Sequence, residues 1–269
     1  MDISIIILNY KSKGLTKQCL KGINLLHSRL QIETIVVDNA SNDGTDEMVR
    51  DEFPWAKMLV SSTNGGYAAG NNIGIRESKG KYVVILNPDV AIFNNSLETL
   101  FDYMESHPQV GICGPKLINP DGSIQASSRT FPTPKIILYR RTPLGKLPKP
   151  RQLLRQHLMS AWDHLQNRPV DWMVGACFVV RSSALQTVGL LDERFFLYLE
   201  DVDWCRRFWQ AGYQVHYVTD AEMVHYHQRL SAENPGLVGL LSYGTRLHIV
   251  SAFKYFAKYF GTKLPNTTT

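Results

Sequence analysis

Short apolar runs alternate with stretches of helical spacing through the first third of the chain. Ser4–Leu8, Glu33–Val37, Lys57–Val60 and Tyr82–Leu86 are apolar and rich in β-branched residues, which predicts strands. Between them, Leu15–Leu26, Thr45–Glu52 and Ala68–Glu77 carry helical spacing. Strands of this kind are predicted to lie in a parallel sheet buried on both faces. The βαβαβ order predicts a doubly wound, Rossmann-like α/β fold. Ligands of such sheets sit beyond the carboxyl ends of the strands, and the polar residues gather there. Asn9-Tyr10 follows the first strand, Asp38-Asn39 the second, Asn64-Gly65-Gly66 the third and Asn87-Pro88-Asp89 the fourth.

The pattern changes after Gly111–Lys116, a further predicted strand that runs into the turn sequence Asn119–Gly122. Phe131–Pro150 holds Pro132, Pro134, Pro143, Pro148 and Pro150 and is predicted to be a loop over the site. Apolar structure resumes at Trp172–Val180, followed by a helix over Glu200–Ala211 and strands over Val215–Val218 and Glu222–His225. A helix is predicted from Leu240 to Phe260, with Ile249, Phe253, Phe256 and Phe260 on one stripe and Lys254 and Lys258 off it. Such a stripe either packs on its own protein, the reading preferred here, or rests on a bilayer interface.

Length and composition add bounds. The 269 residues, 44% hydrophobic, suit one α/β unit with appended elements, and no apolar run approaches the roughly 20 residues of a membrane span. The amino-terminal run lacks the basic and small-residue flanks of a signal peptide and is expected to be a buried strand. Cys19, Cys113, Cys177 and Cys205 form no Cys-x-x-Cys pair, so free thiols in a reducing compartment are expected. The net charge is a modest +5, yet no acidic residue occurs between Gly122 and Trp162, where Arg129, Lys135, Arg140, Arg141, Lys146, Lys149, Arg151 and Arg155 fall. That block suits an anionic partner such as a phosphate or an acidic membrane surface, or it is a solvated basic loop.

Several motifs exclude functions. Gly65 and Gly70 have the spacing of a phosphate loop, but Asn71-Asn72 stands where Lys-Ser/Thr is required, which argues against ATP hydrolysis. The dinucleotide fingerprint Gly-x-Gly-x-x-Gly also fails. Asp38 is placed to accept hydrogen bonds from a base or ribose, while Asp43 suits capping of the next helix. Asp89, after a proline-stiffened step, is placed for a divalent cation bridging a diphosphate or, equally on its own, to cap the next helix. Glu200, Asp201 and Asp203 exceed what a helix start needs, and Asp201 is a candidate general base. His225 and His227 alternate along a strand and so share a side, which leaves a metal or phosphate role level with a structural one.

Taken in order, the segments SIIILNYKS, VVDNASNDGT, NGGYAAGNNIGI, KYVVILNPDV, SSRTFPTP, WMVGACFVVRSSAL, ERFFLYLEDVDWCRRFWQAGY and YFAKYFG resemble family 2 glycosyltransferases, bacterial rhamnosyltransferase-like members in particular. The resemblance runs from Ser4 to Gly261. It implies an A-type glycosyltransferase fold, a mostly parallel central sheet flanked by helices with a C-terminal helical extension. A catalytic unit over 1–235 would divide into a nucleotide half near 1–115 and an acceptor half near 116–235, followed by a helix and tail over 236–269.

Site roles follow from the same resemblance. Asn9, Tyr10, Asp38, Asn64, Gly65, Gly66, Asn72, Asn87 and Asp89 would surround the nucleotide sugar. Asp89 matches the last acid of the family's metal motif, and His225 would share a Mg²⁺ or Mn²⁺ ion with it. Asp201, beside Glu200, matches the catalytic base, and Arg129, Trp172 and Gly175 would face the acceptor. The motif here has one carboxylate where many relatives have two, which bears on metal affinity. The implied reaction is inverting transfer of a sugar, L-rhamnose from dTDP-L-rhamnose first and a UDP-hexose or UDP-N-acetylhexosamine second. The acceptor would be a glycan or lipid-diphosphate-linked precursor at the cytoplasmic face of the plasma membrane. No nucleic-acid partner is expected, while peripheral membrane contact and a homodimer stay open. A non-catalytic glycan-binding or assembly protein is the competing class; it would keep the sheet without needing Asp89 and Asp201. A nucleotidyltransferase is disfavoured because Asn9-Tyr10-Lys11 supplies no glycine-rich basic loop.

Overall fold

The computed structural model describes residues 1–226 and 243–267. His227 and the predicted helix start at Leu240 lie outside the described residues. In chain order the first elements are β1 (Ile3–Asn9), α1 (Lys13–Asn24), β2 (Ile32–Asp38), α2 (Thr45–Glu52), β3 (Lys57–Val60), α3 (Gly66–Glu77) and β4 (Tyr82–Leu86). There follow β5 (Val90–Ile92), α4 (Ser96–Ser106), β6 (Val110–Ile118), β7 (Ser128–Arg129), α5 (Pro134–Arg141) and α6 (Pro148–His157). The rest comprises β8 (Arg168–Pro169), β9 (Trp172–Met173), β10 (Cys177–Arg181), α7 (Leu185–Val188), α8 (Glu200–Gln210), β11 (Gln214–His225) and α9 (Tyr243–Lys258).

One sheet runs β3-β2-β1-β4-β10-β6-β11-β5, with β8 beside β11. The strands β3, β2, β1 and β4 are parallel, and the last three are buried in large part on both faces. Their side chains alternate between two cores. Ile3, Ile5 and Ile7 face one with Val36 and Val84; Ile6 faces the other with Ile35, Val37, Val83 and Ile85. Beyond β4 the direction mixes, because β10 inserts antiparallel between β4 and β6. Strand order turns back at β1 and β4, so a crevice opens at the carboxyl ends of the strands, where Asn9, Asp38 and Asn87 lie.

Two predicted elements differ. The proline-rich segment is not a loop but α5, a short 3₁₀ turn over Pro143–Lys146, and α6. Pro134, Pro143, Pro148 and Pro150 sit in first turns, where no donor is lost; the Thr133 hydroxyl caps α5 by accepting the Ile136 amide at 3.3 Å. The two predicted strands before His225 are one continuous strand, β11, whose register against β6 shifts between Val218 and Glu222.

The C-terminal helix also departs from the predicted stripe. It buries Ser251, Ala252 and Tyr255, while Phe253 is 74% exposed and Phe260, just past its end, 90% exposed. Charge decides this seating. Asp203, fully buried on α8, pairs with Arg207 and Lys258 and accepts the Tyr259 hydroxyl. Arg206 stacks 3.7 Å from the Tyr259 ring centroid and bonds the Thr262 hydroxyl. Among the described residues no helix is long and apolar enough to cross a membrane. The amino-terminal run is the buried strand β1, and all four cysteines are free and buried.

Candidate active site

The loop after β1 is organised by Asn9, which is fully buried. Its amide nitrogen lies 2.8 Å from Asp38 Oδ1 and 2.9 Å from Ser41 Oγ, and its oxygen accepts the Ser12 and Thr16 hydroxyls. Asn9 therefore ties β1 to β2 and has its polar groups engaged within the protein; Tyr10 beside it projects into solvent. Asp38 is held on one oxygen by Asn9 and on the other by the Ser41 amide. Lys11, Ala40 and Asn42 all take positive φ, a cluster of strained backbone at the strand ends. Asp43 accepts the Thr45 amide, but the cap position of α2 is Gly44, so Asp43 braces the turn before the helix instead of capping it as predicted.

The glycine-rich segment is stapled to β2 by Asn39. Its Nδ2 donates to Asn64 Oδ1 and its Oδ1 accepts the Gly65 amide. Gly66 adopts φ +84°, and a Cβ there would lie 2.2 Å from the Phe196 carbonyl oxygen. Gly70 packs against Leu8, so a side chain would collide with β1. These two glycines serve backbone strain and helix-to-sheet packing within the protein. Asn72, predicted beside the nucleotide, instead exchanges two hydrogen bonds with the Leu191 backbone and donates to Glu193. Both of its amide groups are filled by protein, which makes it a clamp on the loop before α8.

Asn87-Pro88-Asp89 and Glu200-Asp201 meet across residues 174–176. The Asn87 amide donates to the Ala176 carbonyl at 2.9 Å, and the Gly175 amide donates to Asp201 at 3.2 Å. The Tyr67 hydroxyl donates to the Gly175 carbonyl, and Glu200, Asp201 and Asp89 all raise its pKa after burial. Carboxylates from two distant parts of the chain thus act on one hydroxyl. Tyr198 and Leu199, just before Glu200, both take positive φ, so the loop presenting the acids is strained. Ser251 on α9 braces it by bonding the Leu197 carbonyl.

The two acids differ in surroundings. Glu200 is buried, with Oε2 finding no hydrogen-bond partner among the described residues. Burial and then the Asp201 charge push its carboxyl well above the usual range. Asp201 keeps some exposure; burial raises its pKa, while the Val202 and Gly175 amides and Arg129 oppose the rise. Both carboxyls are held above their usual range, Glu200 the more strongly, so of the pair Asp201 is the one whose charge its surroundings favour. Arg129 lies 5.3 Å over the Trp172 ring, which is buried with its N–H bonded to the Thr130 carbonyl. Trp172 is therefore a platform under Arg129.

Asp89 Oδ1 is buried without a hydrogen-bond partner among the described residues, 3.4 Å from His225 Nε2. An orphaned carboxylate oxygen facing an imidazole nitrogen fits a divalent cation. No group of three or more His, Cys, Asp or Glu side chains gathers among the described residues. Phosphate oxygens of a ligand and water would have to complete such a shell, as is usual for Mg²⁺. Tyr67 and Gln125, which bonds His225, escaped sequence reasoning because spacing does not mark side chains that bridge loops, and the sequence marks Asn39 only as a polar residue at a strand end.

The sequence profile described as Glycosyl transferase family 2 matches residues 4–187. N-acetylglucosaminyl-diphospho-decaprenol L-rhamnosyltransferase of Mycobacterium tuberculosis is 30% identical over 247 residues, 87% of this chain and 78% of that protein. Rhamnosyltransferase WbbL of Escherichia coli is 26% identical over 95% of this chain and 93% of its own length. Among solved structures, GalNAc-T7 with UDP, GalNAc and Mn²⁺ superposes with TM-score 0.65 at 16% identity, over 85% of this chain and 44% of that one. That likeness shows a shared A-type fold.

Proposed function

The chain belongs to glycosyl transferase family 2, and on that premise we propose that it transfers L-rhamnose from dTDP-L-rhamnose, with inversion, to a hydroxyl of a lipid-diphosphate-linked glycan precursor. It is a glycosyltransferase; the sugar and acceptor are the proposed part, supported by the two rhamnosyltransferase relatives. The observation that carries the site assignment is the link from Asp201 through Gly175 and Ala176 to Asn87-Pro88-Asp89. A non-catalytic glycan-binding protein has no need of a neutral Glu200 beside a basic Asp201.

In this reading Asp201 takes the acceptor hydroxyl proton as that oxygen attacks the anomeric carbon. Glu200, kept neutral, adds no second charge to repel the diphosphate. Asp38 and the loop fixed by Asn9 hold the base, and Asn64-Gly65-Gly66 flanks the ribose and diphosphate. Asp89 and His225 would hold Mg²⁺ or Mn²⁺, whose chemistry is to neutralise charge on the departing diphosphate. Arg129 on its Trp172 platform orients the acceptor side and limits how far the Asp201 pKa rises.

The acceptor's lipid is supported by the surface of α5 and α6. Leu138, Leu144 and Leu147 are exposed among Lys135, Lys146, Lys149 and Arg151. Apolar side chains ringed by basic ones suit the interface of an anionic bilayer. Exposed Phe253 and Phe260 offer a second apolar contact. In this reading the enzyme works peripherally at the inner face of the plasma membrane.

A thermal-shift series with dTDP-L-rhamnose and UDP-sugars, with and without Mn²⁺, tests the donor, and the anomeric proton coupling of the product tests inversion. Stabilisation by dTDP-L-rhamnose enhanced by Mn²⁺ is expected. A response confined to UDP-sugars refutes the rhamnose assignment, and a retained anomeric configuration refutes the single displacement.

A further inference from the structure

The loop that delivers Glu200 and Asp201 to the site runs along α9 and is bonded to it at three places. Lys258 Nζ lies 2.7 Å from Asp192 Oδ2, Lys254 Nζ donates to the Arg194 carbonyl at 2.6 Å, and Ser251 Oγ donates to the Leu197 carbonyl at 2.8 Å. Residues 251, 254 and 258 are three and four apart, so a single helical face meets the loop, the two running in opposite directions. A second helix, α3, holds the same loop. Asn72 exchanges bonds with the Leu191 backbone, and the Tyr67 amide donates to the Phe196 carbonyl at 2.7 Å. Beyond these contacts the chain enters α8, where the Asp203 amide donates to the Leu199 carbonyl at 2.9 Å.

Between the last of these contacts and the helix stand Tyr198 and Leu199, at φ +71° and +68°. Two successive bulky residues in the left-handed region are strained, and such a backbone persists only where its surroundings over-determine it. The Leu199 side chain is buried in the core, and the Tyr198 ring lies 5.2 Å from the His248 ring of α9. The two carbonyls just before the pair, Phe196 and Leu197, are held by different helices, α3 and α9. We propose that α9 is the clamp that keeps this pair strained, and that Ser251, through the Leu197 carbonyl, is the positioning residue for Asp201. Burial singles out Ser251 among the three. Water can stand in for the exposed Lys254 ammonium on its carbonyl, whereas Ser251 is buried.

Removing the Ser251 hydroxyl frees the Leu197 carbonyl, and Tyr198 and Leu199 can then relax toward negative φ. That turns the peptides directly before Glu200, and Asp201 loses its alignment with the Gly175 amide. The lost hydrogen bond destabilises the fold while the relieved strain stabilises it, so the two offset. Transfer therefore falls without a matching fall in stability, a pattern that a bond serving only to seat the helix would not give. The role of Ser251 in transfer rests on the reading of Asp201 as the base; the strained pair and its clamp do not.

Ser251→Ala in the full chain is the test. Single-turnover transfer from dTDP-L-rhamnose to a short-chain N-acetylglucosaminyl-diphospho-lipid should fall about ten- to a hundredfold. Calorimetric affinity for dTDP-L-rhamnose and the urea midpoint should both stay native, while hydrogen exchange at the amides of residues 198–203 should quicken. A second background sharpens the result. Glycine takes positive φ unaided, so the Ser251→Ala penalty should shrink when Tyr198→Gly is already present. Tyr198→Ala, which also removes the ring but still resists positive φ, should leave the penalty whole. An equal penalty in the glycine background, a urea midpoint that falls in step with the rate, or unaltered exchange at 198–203 overturns the clamp. Exchange is read without substrate. Faster exchange in Ser251→Ala, with native transfer rates in both that variant and Asp201→Asn, upholds the clamp and refutes Asp201 as the base.

Discussion

The Asp201 carboxylate accepts the Gly175 amide at 3.2 Å. That bond lets a helix start distant in sequence take its position from the segment between β9 and β10. On the other side of the same segment, the Ala176 carbonyl receives Asn87, two residues before Asp89. The proposed base and the proposed diphosphate site therefore share one backbone strut, and small changes in the strut should alter chemistry before they alter stability.

Gly175→Ala tests that. A Cβ there would lie 3.1 Å from the Tyr67 hydroxyl and 3.5 Å from Asp201 Cβ, so the hydroxyl must move by a few tenths of an ångström. Transfer should fall about a hundredfold, the cost of misplacing a reacting group by up to an ångström, with an unchanged urea midpoint. A parallel loss of stability and rate would make the strut merely structural.

Asp203→Asn should act in the opposite way. Its carboxylate is fully buried between Arg207, Lys258 and Tyr259, so the substitution leaves Arg207 without its counter-charge and Lys258 with Asp192 alone. Breaking a buried pair in this manner costs about 3–5 kcal/mol. Denaturant titration should show a loss of that order, and limited proteolysis should cut first near α9.

Stability should also decline in mild acid. His216 is pushed down to about 4, by burial first and then by His107. His157 is pushed down to about 3 by burial, then by Arg140 and Arg129. Above about pH 6.5 both rings are neutral folded or unfolded, and their contribution is fully present. Below it the unfolded chain takes protons that the native rings refuse, so stability falls as pH drops from about 6.5 toward these lower values. Melting temperature against pH should show this slope, and His216→Gln should flatten it; an identical slope in that variant removes His216 as a cause.

Membrane contact predicts co-sedimentation with vesicles of anionic lipid. Replacing Leu144 and Leu147 by Ser, or Lys146 and Lys149 by Glu, should release the protein, with high salt releasing wild type in part. Each Lys or Arg near such a surface is worth about 1 kcal/mol, so the double Lys→Glu change should weaken binding at least tenfold. Equal sedimentation of all forms rejects α5 and α6 as the contact.

Local chemistry made half of the fold legible in the sequence. The bounds of α2, β3 and β4 follow from apolar period and end signals, because those segments fold on nearest neighbours in a parallel sheet. The antiparallel sense of β10 was not legible, since burial on both faces looks the same in either direction. Prolines suggested a loop where they begin helices, because proline forbids a helix interior and not its first turn. At the site, Asp38, Asp89 and Asp201 stood out by their places at element ends. Tyr67 and Gln125 did not, because each works by spanning loops that meet only in the fold. Asn72 stood out for a glycine-rich neighbourhood whose purpose is packing.

The central claim is that Asp201 acts as the base in a cleft shared with Asp89. Single-turnover transfer by Asp201→Asn, measured beside calorimetric binding of the nucleotide-sugar donor, tests it most directly. The amide cannot take the acceptor proton, so the transfer rate should fall about a thousandfold while donor affinity stays nearly unchanged. Transfer at the wild-type rate, or donor binding lost in step with the rate, would contradict the assignment.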